Sequence, residues 1–64
     1  MSIGENIKKK RKEAGVNQYE LADKVGVTQG YIAKVENNMK IPSMTLGKAI
    51  ANVLGCTMDE LARE

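Results

Sequence analysis

The 64-residue chain has no histidine, tryptophan or phenylalanine, one cysteine and one proline. Each absence removes a class of function. Without histidine the commonest general base and zinc ligand are missing, and Cys56 alone can form neither an intrachain disulfide nor a structural zinc site. With nothing to activate it, Cys56 follows the helix-ending Gly55 and reads as a small buried hydrophobe rather than a nucleophile. No nucleophile with a base, metal cluster or phosphate-cradling glycine loop can be assembled. Neither an enzyme nor a cofactor is expected. The sequence also lacks a signal peptide, a lipidation motif and any run of 18 apolar residues, so the expectation is a cytoplasmic chain without membrane contact.

The apolar positions that are present are Ile, Val, Leu, Met and Ala, with Tyr19 and Tyr31 the two aromatics. Such a set suits short helices packed closely. Val and Ile stand singly at helical spacing and never alternate, which argues against strands. One domain, 1–64, is expected, and a chain of this size buries only about 60% of the surface exposed by its unfolded form. Net charge is +2, but unevenly placed: residues 1–48 hold nine Lys/Arg against five Asp/Glu, whereas residues 49–64 hold Arg63 against Asp59, Glu60 and Glu64. The densest run, Lys8-Lys9-Lys10-Arg11-Lys12, is spread by a helix around its whole circumference. A solvated face and a phosphate-binding one both remain open for it.

Helix boundaries are marked by capping residues. Ser2 and Glu5 form an S-x-x-E box ahead of the Ile3, Ile7 stripe, and Gly15 supplies a left-handed stop, giving helix 1 at about 3–14. Asn17 and Glu20 open helix 2, about 18–25, with Leu21, Ala22 and Val25 inward. Gly26 and Val27 make a tight corner. Thr28 then caps helix 3, about 29–37, with Ile32 and Val35 inward. Asn38 to Pro42 reads as a loop and Ser43 as the next cap. Helix 4 shows a broad apolar face of Met44, Leu46, Ile50, Val53 and Leu54 before Gly55. Thr57 and Glu60 box the start of a last short helix with Met58 and Leu61 inward. The expected fold is all-α, five helices in a compact bundle.

Helices 2 and 3, joined at Gly26 within Gln18–Asn37, are the part richest in functional meaning. Two helices meeting at a short glycine-containing turn are the architecture that places a helix in the DNA major groove. At 100° per residue from Gln29, Ile32 and Val35 centre the buried direction of helix 3 near 270°. Gln29, Ala33, Asn37, Gly30 and Lys34 populate the opposite side, with Tyr31 and Glu36 on the rims. This outward face has no carboxylate, two amides, one lysine and two very small residues. A merely solvated face would instead hold long side chains of both signs, and an interior glycine costs up to about 1 kcal/mol relative to alanine without packing to offset it. Gln29 can pair bidentately with adenine and Lys34 can donate to guanine O6 or N7, each worth about 1–3 kcal/mol of base discrimination. Gly30 marks a place where backbone or a thymine methyl comes near.

Arg11 continues the i, i+4, i+8 series Ile3, Ile7, Arg11 on helix 1, and Glu36 borders the apolar stripe of helix 3. A lone, partly buried charge is costly, so the two are expected to pair; the alternative is a solvated lysine-run member and an unrelated surface glutamate.

The spacing of Leu21, Ala22, Val25, Gly26, Val27, Ile32 and Val35 resembles the helix-turn-helix of lambdoid-phage repressors, Cro proteins and their small bacterial relatives. The resemblance extends through I-G-E-N-I-K-K-K-R-K-E-A-G, I-P-S-M-T-L-G-K-A-I-A-N-V-L-G and C-T-M-D-E-L-A, in order and without a gap. It implies the lambda-repressor-like fold and a buried salt bridge between Arg11 and Glu36. It implies that Gln18 contacts a phosphate at the start of helix 2 and that Thr28, Gln29, Gly30 and Lys34 lie near bases or adjoining backbone. Tyr31 and Asn37 match positions that touch phosphate or sugar, and Asn38 and Lys40 begin a loop that follows the DNA backbone. Gly30 departs from the pattern, since many relatives place a long polar reader there, and Gly47 stands where a larger apolar residue is usual.

The function implied is a sequence-specific double-stranded DNA-binding transcriptional regulator, most often a repressor in this family, acting as a two-fold homodimer. Val53, Leu54, Met58 and Leu61 serve either that dimer or the intrachain core. A protein-interaction module of the same fold, such as an antitoxin or bridging factor, is the alternative. No small-molecule effector is evident.

Overall fold

Ser2, Asn17, Thr28, Ser43 and Thr57 all have extended backbone, and each side-chain oxygen accepts the backbone N–H three residues ahead. These caps start the five helices of the computed structural model, which describes residues 2–63. Met1 and Glu64, the ends of the expected 1–64 domain, lie outside the described residues. The helices are α1 (Ile3–Glu13), α2 (Gln18–Val25), α3 (Gln29–Glu36), α4 (Met44–Leu54) and α5 (Met58–Ala62). Asn17 with Glu20 and Thr57 with Glu60 make full reciprocal boxes. Gly26 and Gly55 end α2 and α4 in the left-handed conformation at φ 78° and 72°, where a side chain would be strained.

Every helix sends side chains to one core. Ile7, Leu21, Ile32, Val35, Ile50 and Leu61 are fully buried, with Ala22 and Ala51 beside them. Burying each of the larger ones contributes about 1.5–3 kcal/mol. α2 packs on α3 and α4, and α1 packs on α3, α4 and α5. The result measures 25 × 23 × 20 Å. α5 is too short to hold itself and is tied down by α1. Asn6, itself buried, donates to the carbonyls of Leu61 and Arg63, and Lys10 reaches Glu60 at 3.6 Å.

Several expectations shift in detail. α3 closes at Glu36, with Asn37 as its cap. Asn38 then takes the left-handed conformation at φ 63°, which lets the Met39 N–H bond to the Lys34 carbonyl at 2.8 Å. Met44, expected on the apolar face of α4, is 69% exposed at the first position of the helix, while Ile50 and Ala51 further along are buried. Cys56 is half-buried against the core rather than enclosed; that burial, and then Glu60, push its thiol pKa up, so it is no activated nucleophile. Leu61 is core, and Val53 and Leu54 pack against it within the chain. Met58 fills the space over Gly47: a Cβ there would lie 2.7 Å from the Met58 sulfur.

Candidate nucleic-acid interface

The corner between α2 and α3 fixes the direction of α3. Gly26 turns the chain, Val27 N–H bonds back to the Ala22 carbonyl at 3.0 Å, and Val25 and Val27 pack half-buried on the core. Thr28 is exposed and its hydroxyl accepts the Tyr31 N–H at 3.1 Å. The first bond into α3 is from Ile32 N–H to Thr28 carbonyl, so the N–H groups of Gln29 and Gly30 lead out of the helix at its positive end.

α3 is anchored by three residues. Ile32 and Val35 have no exposed surface and Glu36 only 4%. On the other side Gly30, Lys34 and Asn37 are exposed, while Gln29, Tyr31 and Ala33 are half-buried. A Cβ added at Gly30 would meet nothing within 4 Å. The glycine thus leaves a notch open to solvent. Among the described residues, no carboxylate lies within ion-pair distance of Lys34 or Lys40. Lys40 reaches back from the loop after α3 to stand 5.7 Å over the Tyr31 ring, joining the loop to the helix by a cation–π contact. Asn38 is exposed at the same end.

Behind this surface lies a polar chain. Arg11, 7% exposed, grips Glu36 with two bonds, Nε to Oε2 at 2.6 Å and Nη2 to Oε1 at 3.0 Å. Its Nη1 donates to the Val16 carbonyl at 2.9 Å, so one guanidinium ties α1, the α1–α2 connection and α3 together. Glu36 Oε1 also accepts from Gln18 Nε2 at 3.0 Å, and Gln18 Oε1 accepts from Gln29 Nε2 at 2.8 Å. No buried polar side-chain atom among the described residues lacks a partner.

The Gln18 side chain is thus turned toward Glu36 and Gln29, leaving one amide hydrogen free of these bonds. Helix spacing indicates the Arg11–Glu36 end of this chain but not the links through Gln18, which join residues 11 and 18 positions apart. Asn6 was likewise invisible as a tether: its partners lie 55 and 57 residues away. Met39 and Ile41 beside Lys40 are exposed as well, Ile41 at 85% being the most solvent-facing large apolar residue among the described residues.

Comparison with known proteins places this arrangement. A family model described as helix-turn-helix matches residues 7–61. The immunity repressor protein of Bacillus phage phi105 is 33% identical over 64 residues, covering 100% of this chain and 44% of that protein. The P22 c2 repressor, solved in complex with a synthetic operator, superposes with a TM-score of 0.93 at 28% identity, covering 98% of this chain and 96% of that one. SinR, a master regulator for biofilm formation solved in complex with DNA, superposes with a TM-score of 0.86 at 37% identity, covering 92% and 95%. The chain spans about half the length of curated relatives such as the phage repressor and the SinR regulators of Bacillus. No helix among the described residues is long and apolar enough to cross a membrane.

Proposed function

The chain belongs to the helix-turn-helix family, and from that premise we propose that it is a sequence-specific double-stranded DNA-binding transcriptional regulator, acting as a repressor, that lays α3 in the major groove. The observation that carries this reading is the outward face of α3: free of carboxylates, notched at Gly30, and flanked by an amide and a lysine. Two of its relatives, an immunity repressor and a repressor solved with its operator, support the same reading.

In this reading Gln29 pairs with adenine and Lys34 with guanine, while the Gly30 backbone approaches the base edges. Thr28, Tyr31, Asn37, Asn38 and Lys40 contact the sugar-phosphate backbone, and Gln18 offers its remaining N–H to a phosphate at the positive end of α2. Two base-reading side chains specify only a few base pairs. A two-fold pair of chains, with reading helices about 34–36 Å apart on one face of the duplex, lengthens the site. The protein acts in the cytoplasm, without a cofactor or catalytic step.

Titration of a duplex with the protein at increasing salt tests the reading. Affinity is expected to fall steeply, because each neutralised phosphate releases counterions. Lys40→Ala is expected to weaken all duplexes by a similar factor and lower the salt slope by about one unit. No duplex binding at low salt would overturn the proposal.

A further inference from the structure

Gly15, Gly26 and Gly55 have positive φ and Gly30 faces open space, but Gly4 and Gly47 are buried in helices with ordinary backbone. The two differ in what a side chain would meet. At Gly47 it is the flexible end of Met58, which can move aside. At Gly4, in the first turn of α1, it is backbone: a Cβ would collide with the Val35 carbonyl oxygen and lie 3.0 Å from that of Glu36, with Asn38 Oδ1 at 2.8 Å. α1 therefore rests directly on the last turn of α3, and the positive start of one helix meets the negative end of the other. Alanine is the better helix former, so the glycine at position 4 answers to this contact rather than to the helix that contains it.

We propose that Gly4 is a positioning residue for Lys34: by letting α1 close on α3, it sets where the C-terminal end of the reading helix stands, and so tunes base discrimination at that end alone. The proposal rests on the DNA-reading function above. Beyond the core contacts of Ile32 and Val35, the two ends of α3 are held by different elements. Its start is fixed by the corner from Gly26 to Thr28, where the Thr28 hydroxyl accepts the Tyr31 N–H. Its last turn is fixed by α1, through Gly4 and through Arg11 on Glu36. Gln29 stands at the first end, and Lys34, about 7.5 Å further along the axis, stands beside Val35 at the second. A side chain at position 4 cannot displace the Val35 carbonyl without moving the turn that carries Lys34.

The test reads Gly4→Ala against Gly47→Ala by competition between duplexes. The probe is the duplex that the wild-type chain selects from a random library, with two partner duplexes. One is altered at the base pair that Lys34→Ala ceases to discriminate, the other at the base pair that Gln29→Ala ceases to discriminate. Gly4→Ala is expected to lower discrimination at the Lys34 base pair by about fivefold, within the span of one base contact, and to keep it at the Gln29 base pair. Gly47→Ala is expected to keep both. A loss of folding stability weakens binding to every duplex by the same factor and cancels in the ratio, so a variant that folds only on DNA is still read. Unchanged ratios, equal loss at both base pairs, the same loss in Gly47→Ala, or no binding of Gly4→Ala to any duplex overturns the positioning role. If Lys34→Ala and Gln29→Ala change no base preference, the reading face itself is wrong; if they do and Gly4→Ala does not, only the positioning role fails.

Discussion

At position 30 the helix gives up a side chain where one would be free to stand. The space around a built Cβ is empty and the residue is exposed, so alanine meets no clash within the protein. Gly30→Ala is expected to raise stability by up to about 1 kcal/mol, read from chemical denaturation, because alanine is the better helix former. The same change is expected to weaken binding to the selected duplex, because the methyl would fill the notch proposed for the close approach of DNA. Opposite signs in the two measurements are the signature; tighter binding alongside higher stability would remove Gly30 from the interface. The open side of Gly30 was legible from angles on a helix. The role of Gly4 was not: a Cβ there would collide with the Val35 carbonyl, and α1 and α3 meet only in the folded chain.

The elements themselves were legible where their causes are local. Caps and boxes act between residues three apart, so Ser2, Asn17, Thr28, Ser43 and Thr57 could be read directly. What joins one helix to another is set by geometry that spacing only hints at. Arg11 could be paired with Glu36 on paper, but not the further bonds to Val16, Gln18 and Gln29. Arg11→Met is expected to cost about 3–5 kcal/mol, since Glu36 would be left buried and unpaired. Adding Glu36→Leu is expected to recover much of that loss in the same unfolding assay, and a double mutant no more stable than the single one would contradict the pairing.

α5 offers a pH test at the same scale. The Thr57 N–H, and secondarily Lys10, hold the Glu60 carboxyl below its ordinary pKa. A depressed carboxylate stabilises the fold above its unfolded pKa and loses that contribution as pH falls through its folded one. Glu60→Ala is therefore expected to lower the melting temperature near neutral pH, with the gap from wild type closing at acid pH below the usual carboxylate range. A gap that does not change with pH would assign Glu60 a packing role instead.

For the whole molecule, one small core orients α3, and the basic excess lies in residues 1–48, which include that helix and the loop after it. The fold was readable because all five helices declare their starts. The outward positions of α3 were readable from helix angles; of the polar chain behind them the Arg11–Glu36 pair was readable, and the bonds through Gln18 to Gln29 were not. In the proposed function Gln29 and Lys34, on the outward face of α3, read the bases. Selection of bound sites from random duplex DNA, run in parallel with the wild-type chain, Gln29→Ala and Lys34→Ala, tests it most directly. Wild type is expected to return a defined site, and each variant to lose preference at its own base pair, adenine for Gln29 and guanine for Lys34. Variants that select the same site with undiminished preference would contradict it.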